Sequence, residues 1–354
     1  MKVLITGGAG FIGQHLAQSL VGAGHDVTAL DILDSQVHQD PQDSAERFPG
    51  EVFLGDVADV GAWMSLPPHD AVVHLAAETG TAQSMYETEH YRRVNVEGTR
   101  MAAEAAVRWG AKIVLLSSRA VYGEGRVLSP GESLPAGVDG GADGTLVPSS
   151  EEDRHRPVSV YGETKSRAEH VLMETVAAKV PATIIRPQNV IGRGQALHNP
   201  YTGVLAAFLA RLKDGLPLTL YGDGTQTRDF VHVEDVVALI EWSLENTEGA
   251  LETPRVLNSG TGVRTTLKEL ALYAMEAAPN VNVPIEYLAV RRAGDIDHAC
   301  ADLRRLRALG APLPRWQTKE AIADFIRSSW HERGAAPEAW DEALDELKAR
   351  GLTE

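Results

Sequence analysis

A doubly wound parallel α/β sheet carrying a smaller mixed α/β part is the fold class that the sequence predicts. Three observations predict it. The first is a strand, a glycine-rich turn and a helix within the opening residues. The second is the alternation of short apolar runs with helical stretches through the first half. The third is an acidic residue, Asp31, closing the second of those runs.

The turn comes first in the chain. Val3-Leu4-Ile5 is an apolar run, Thr6 to Gly13 reads Thr-Gly-Gly-Ala-Gly-Phe-Ile-Gly, and Gln14 to Val21 is helix-like. Gly7, Gly10 and Gly13 have separate tasks. They supply a tight turn, a close approach of the main chain to a pyrophosphate, and close packing of helix on strand. A pyrophosphate there would meet the free N–H groups of a helix N-terminus, where the dipole favours negative charge. Asp31 ends the run Val27-Thr28-Ala29-Leu30, where a carboxylate would hydrogen-bond ribose hydroxyls. No Arg or Lys follows closely to take a 2′-phosphate, so the expected dinucleotide is NAD rather than NADP.

Four further runs read as buried parallel strands, apolar on both faces: 51–56, Ala71 to Leu75, Lys112 to Leu116, and Ala182 to Ile185. Helical stretches separate them, notably Tyr91 to Trp109 and Tyr161 to Val176. In such a sheet, ligands bind outside the carboxyl ends of the strands. The residues there are Asp31, Asp56, Ala76-Ala77 and Ser117-Ser118, all small or polar. Residues 124–157 break the alternation. They are rich in Gly, Pro, Ser and Asp and read as a long surface loop, either a lid or a solvated insertion. Val127, Leu128, Leu134 and Leu146 are its expected anchors.

Past Arg186 the alternation is less regular. Helices are expected at Leu205 to Leu212, Glu234 to Leu244, from about Thr266 onward, and at Pro337 to Arg350. Strands are expected at Leu218 to Leu220, Asp229 to Val233 and Arg255 to Asn258. The division that follows is a dinucleotide-binding domain over 1–185, with 229–258 returning to it. A substrate-binding part covers 186–228 and 259–330, and a helical extension covers 331–354.

Composition narrows the function classes. The chain has 354 residues, 44% of them hydrophobic and 23% charged, with a formal net charge of -16. That charge argues against unspecific nucleic-acid binding and against docking on anionic membrane. The single cysteine, Cys300, rules out an internal disulfide. No run is long enough to span a bilayer, no metal-ligand spacing is present, and the first strand leaves no room for a signal peptide. The expectation is a cytoplasmic enzyme or binding protein. His74 reads as a core histidine rather than a ligand.

The second chemical signal is Tyr161-Gly162-Glu163-Thr164-Lys165. Residues four apart share one helix face. A free phenol titrates near 10, but a nearby ammonium and a positive nicotinamide ring favour the phenolate. Tyr161 is then a general base toward a sugar hydroxyl and an acid in the reverse step. Lys165 can also hold the nicotinamide ribose. Ser118, at the end of the strand from Lys112, can hydrogen-bond the reacting substrate oxygen.

These motifs occur in order with Ser117-Ser118-Arg119-Ala120-Val121-Tyr122-Gly123, Arg186-Pro187-Gln188-Asn189 and Arg228 to Val233. Together they resemble the extended short-chain dehydrogenase/reductases of the NAD-dependent sugar epimerase/dehydratase family, over roughly residues 1–330. The resemblance implies a Rossmann-type sheet, bound NAD and a nucleotide-sugar substrate. The nucleotide-sugar 4-epimerases are the most similar group. Segments 83–87 and 195–204 resemble the dTDP-L-rhamnose 4-epimerases.

The resemblance further implies that Phe11, Ile12, Asp31, Asp56, Val57, Leu75, Ala76 and Ala77 contact NAD. Ser118, Tyr161 and Lys165 become the catalytic trio, and Asn189, Arg228 and Arg292 hold the nucleotide diphosphate. Family dehydratases carry an Asp-Glu pair directly after the catalytic Ser or Thr, and decarboxylases carry a Glu at the second position. Here Arg119 and Ala120 stand there. Epimerisation at carbon 4, through a transient 4-keto sugar, needs neither acid. A reductase, a dehydrogenase or a UDP-sugar epimerase of the same family is the alternative. The family also implies a homodimer, paired through the helices at Tyr91–Trp109 and Tyr161–Val176.

Overall fold

Valine, isoleucine and leucine on both faces of a short run leave it no solvated side, so such runs pair with one another beneath helices. The computed structural model, which describes residues 1–127, 146–199 and 203–353, shows this arrangement. Among the described residues, seven parallel strands form the central sheet. They are β1 (Lys2–Thr6), β2 (Asp26–Asp31), β3 (Glu51–Leu54), β4 (Ala71–His74), β5 (Lys112–Leu116), β6 (Ala182–Pro187) and β7 (Arg255–Ser259). The spatial order is β3-β2-β1-β4-β5-β6-β7. Strand order therefore reverses between β1 and β4, and the crevice above that point is where ligands of such sheets sit.

Eight helices matter to the argument: α1 (Phe11–Gly22), α2 (Gly98–Trp109), α3 (Val160–Val176), α4 (Val204–Lys213), α5 (Val233–Glu245), α6 (Leu267–Ala277), α7 (Thr318–Ser329) and α8 (Glu338–Ala349). One sheet face is covered by α1 and α5, which bury Leu16, Leu20, Val236 and Ile240. The other is covered by α2 and α3. The alanines of α2 (Ala102, Ala103, Ala105, Ala106) carry little side-chain bulk, so this helix lies close on the sheet. A third core, built on Leu209, Leu212, Leu270, Ala274, Ile322 and Phe325, joins α4, α6 and α7 beyond the sheet's carboxyl edge.

Three expectations change. The helix expected over Tyr91 to Trp109 is not uniform: a π-helical turn, Arg93–Glu97, lies between Thr88–Arg92 and α2. The strand expected from Asp229 begins at Phe230, because Asp229 is buried as an acceptor instead. Its carboxylate takes the amides of Thr261, Gly262 and Ala301 at 2.8–3.0 Å and fixes the loop after β7. Val127 does not anchor the long loop. It lies in a short antiparallel pair with Leu146, whose neighbour Val147 is the buried residue, since successive side chains of a strand face opposite ways. Leu128 and Leu134 lie outside the described residues, as does most of the segment read as either a lid or a solvated insertion.

Candidate active site

Gly7 adopts φ +66°, a conformation that L side chains resist, and a Cβ on it would come within 2.9 Å of the Ala76 nitrogen. It thus closes β1 against the end of β4 across the point where strand order reverses. A Cβ on Gly13 would strike the carbonyl oxygens of Gly7 and Gly8, so only glycine lets α1 start this close to the turn. Gly10 differs. Its Cβ direction meets only the Gly7 oxygen, at 3.2 Å, and it leads into α1 with no side-chain cap and no acidic residue in the first turn. The result is an open cradle of helix N-terminal amides around Phe11 and Ile12.

Asp31 is buried at the end of β2, where its carboxylate accepts from the amides of Ala9 (3.0 Å) and Leu33 (2.9 Å). A buried carboxylate beside an anion cradle fits a ribose diol next to a pyrophosphate, so the residues present fit a dinucleotide. Asp56 accepts from the Ala58 amide at 2.8 Å and from Arg93 at 2.6 Å. Val57 packs over Gly98, and its carbonyl accepts from the Trp63 indole at 2.8 Å. On the far side, the Ala76 amide donates to the Thr6 hydroxyl at 3.2 Å, fixing Leu75 to Ala77 as the other wall.

Sequence reasoning missed Asn95. It lies in the π-helical turn, accepts from the Glu78 amide (2.9 Å), and donates to the Glu78 carbonyl and the Thr164 hydroxyl (both 3.0 Å). It ties the wall after Ala77 to the helix that carries Tyr161. The available signal was an asparagine inside a helical run, where its propensity is poor, and π turns concentrate at functional sites.

At the other end of the crevice, Ser118 follows β5 and caps a 3-10 turn, Arg119–Tyr122, accepting from the Ala120 amide at 3.1 Å. Ser159 caps α3 through the Gly162 amide at 3.1 Å. A Cβ on Gly162 would lie 2.6 Å from the Ala120 oxygen, so the two caps are pressed together. This contact brings Ser118 and Tyr161 within hydrogen-bonding reach. Burial pushes the Tyr161 phenol up, while the Ser118 bond and the Arg119 charge pull it down. Lys165 is one turn along the same helix, as expected, but its ammonium donates to the Leu116 carbonyl at 2.8 Å. Burial lowers its pKa to about 8, against the opposing pull of Glu169. The cation acting on the phenol is therefore Arg119 rather than Lys165.

The expected diphosphate residues also converge. Asn189 is paired with Phe230 in a short parallel ladder, which sets it beside Arg228. Arg228 donates to the carbonyls of Thr227, Ile296 and Asp297 at 2.7–3.3 Å. Arg292 pairs with Asp295 at 2.9 Å and lies 5.0 Å over the Tyr221 ring. Its charge acts on Arg228, whose pKa falls, first from burial.

Comparison with known proteins gives the family. Residues 3–260 match the model of the NAD dependent epimerase/dehydratase family. The chain belongs to this family. It is 37% identical over 348 residues to the dTDP-L-rhamnose 4-epimerase of Burkholderia thailandensis, covering 92% of this chain and 93% of that one. Among solved structures it is similar to the UDP-glucose 4-epimerase of Thermotoga maritima with UDP-glucose, at TM-score 0.78 and 26% identity over 93% of this chain and 98% of that one. It is also similar to MoeE5 in complex with UDP-glucuronic acid and NAD, at TM-score 0.76 and 30% identity over 93% and 99%.

Within this epimerase/dehydratase chain, two buried polar groups lie under the site, an arginine in an ion pair and a histidine. Arg186, from β6, clasps Glu169 of α3 with two bonds, at 2.9 and 2.7 Å, and also reaches the Tyr122 hydroxyl and the His155 ring. Below the groove, His74 bonds the Thr6 hydroxyl through Nδ1 at 2.7 Å, while its buried Nε2 has no partner among the described residues. Burial, then the Lys165 charge, lowers its pKa to about 3. The unfolded chain takes up this proton near 6.5, the folded chain only near 3. Stability from this group is thus fully present above about pH 6.5 and is lost as pH falls through that window. The slope is at most about 1.4 kcal/mol per pH unit. Urea denaturation at about pH 7 and about pH 4.5 measures it, and His74→Gln is expected to flatten the difference. An equal loss in both proteins removes His74 as the cause.

Proposed function

We propose that this protein epimerises a nucleotide-diphosphate sugar at carbon 4, with NAD held along the groove from Gly7 to Ala77. The observation that carries this reading is a buried phenol, Tyr161, brought close to Ser118 at the carboxyl end of β5 by the contact of Gly162 with Ala120, with Arg119 and Ala120 following Ser118 in place of an acid pair. Gly7, Gly10, Phe11, Ile12 and Gly13 take the pyrophosphate, Asp31 the adenosine ribose, Asp56 and Val57 the adenine side, and Leu75 to Ala77 the opposite wall. When bound, NAD supplies a reversible hydride acceptor for the sugar carbon.

Tyr161 takes the proton of the sugar hydroxyl and returns it. Ser118 holds the same oxygen through both directions. Lys165, fixed on the Leu116 carbonyl, places its charge where the nicotinamide ribose would lie. Asn189, Arg228 and Arg292 grip the diphosphate; a guanidinium fork matches phosphate oxygens. Because no second acid and base follow Ser118, the 4-keto sugar is neither dehydrated nor decarboxylated. It turns and is reduced on its other face.

The test is to incubate purified protein with UDP- and dTDP-hexoses and read the products by NMR. The expected result is an equilibrium mixture of 4-epimers, with no added cofactor consumed. Stoichiometric turnover of free NAD(H) would instead favour a reductase or dehydrogenase, and no product with any sugar ends the proposal. The dTDP-sugar is the first to try, given the relative named above. We also infer a cytoplasmic homodimer. Support for the pairing is that α2 and α3, the helices expected to form it, pack side by side on one sheet face. Sedimentation at equilibrium decides the oligomeric state.

A further inference from the structure

The charge of Arg119 acts on the Tyr161 phenol, but no substrate group has yet been assigned to its guanidinium, and its placement is specific. It opens the 3-10 turn capped by Ser118, so its backbone is fixed directly beside the reacting hydroxyl. Its guanidinium donates to the Gly123 carbonyl four residues on. The next residue, Glu124, accepts from the Asp297 amide at 2.9 and 3.1 Å. The Asp297 carbonyl in turn accepts from Arg228 at 3.3 Å. One strip, Gly123-Glu124 fastened to Asp297, therefore carries Arg119 at one end and Arg228 at the other.

The two cations are held by main-chain oxygens rather than by carboxylates. Among the described residues, the partners of Arg119 and Arg228 are backbone carbonyls, and neither guanidinium joins a carboxylate in an ion pair. Glu124 is the acid that acts on Arg119, but it is engaged by the Asp297 amide and Arg291, while Asp295, the acid acting most on Arg228, is paired with Arg292. Each guanidinium feels the other's neighbourhood. Burial first and then the Arg228 charge lower the Arg119 pKa to about 10. Two part-buried like charges held on carbonyls rather than in ion pairs leave donors and charge for an anionic ligand to satisfy.

We propose that Arg119, with Arg228, binds an anionic oxygen of the substrate at the sugar end of the site, beside Tyr161. This rests on the nucleotide-sugar reading and deepens it. The anionic oxygen belongs either to the sugar-proximal phosphate or to a carboxylate on the sugar ring. A guanidinium serves both through the same paired N–H donors.

Titration of the NAD-loaded protein with UDP, UDP-glucose and UDP-glucuronic acid, or the thymidine series if the wild type prefers it, tests this. Arg119→Gln is compared with Arg119→Lys, with bound NAD and melting temperature measured in each. Loss of one charged hydrogen bond is expected to weaken binding at least about tenfold in Arg119→Gln, with Arg119→Lys intermediate. Weakening of all three ligands identifies the phosphate. Weakening of the uronic acid alone identifies the carboxylate. Unchanged affinity for every ligand overturns the inference, as does a loss confined to UDP-glucose, which would mark a neutral hydroxyl contact. If Arg119→Gln does not hold NAD, the Arg119→Lys titration decides alone, with unchanged affinity overturning the inference. A wild type that binds no nucleotide or nucleotide sugar sinks the functional reading itself, which is a separate result.

Discussion

Tyr161→Phe is expected to lower kcat by about a thousandfold while NAD remains bound, because a positioned acid–base group contributes about 10²–10⁴ in rate. The substitution removes one oxygen and keeps the ring. Packing of α3 does not depend on that oxygen: the helix is held by Ser159, by the Tyr161 amide on Ser84 at 3.0 Å, and by Gly162 against Ala120. Ser118 still caps the 3-10 turn. The lost factor corresponds to about 4 kcal/mol of barrier, so it is measurable against any background. Progress curves with the epimerised sugar, alongside cofactor content by absorbance after denaturation, give both readouts. A kcat within twofold of wild type would remove the phenol from the chemistry.

The parts of this site that were legible in the sequence are those that local geometry dictates. Gly7 needs a positive φ and Gly13 needs to lack a Cβ, and both needs are written as glycine at fixed offsets from an apolar run. Tyr161 and Lys165 share a helix face through spacing alone. Ser118 and Asp31 were found because they end buried strands, where a parallel sheet collects its ligand contacts.

What was not legible depends on residues far apart in the chain. The environment of Arg119 is shaped first by burial and then by the Arg228 charge, and no spacing rule links the two residues. The π turn around Asn95 exists because its side chain bridges Glu78 and Thr164, a tertiary demand that overrides helix propensity. The ammonium of Lys165 was expected to act on the phenol. Burial and the Leu116 carbonyl dominate it instead, and neither is visible until β5 and α3 are packed.

The same distance hid the Glu169–Arg186 pair, which gives the second large expected effect. Glu169→Ala should destabilise the fold by about 3–5 kcal/mol, the cost of leaving one member of a buried ion pair uncompensated. Both side chains are essentially inaccessible, at 1% and 3% exposure. The Arg186 guanidinium would keep the Tyr122 hydroxyl (2.9 Å) and the Glu151 carbonyl (3.2 Å) but no carboxylate. The Ser117 hydroxyl, which donates to Glu169, would lose its acceptor next to Ser118. Replacing both partners, as Glu169→Leu with Arg186→Met, should recover much of the loss, because desolvating the pair offsets most of its attraction. Urea midpoints of the two variants against wild type measure this; a single variant within about 1 kcal/mol of wild type would mean that solvent reaches the site. Glu169 is also the group that opposes the lowering of the Lys165 pKa. The single variant should therefore lose its Lys165 charge at lower pH than wild type, and the alkaline limb of its activity profile should move the same way. A purely structural role for Glu169 would change the midpoint and leave that limb in place.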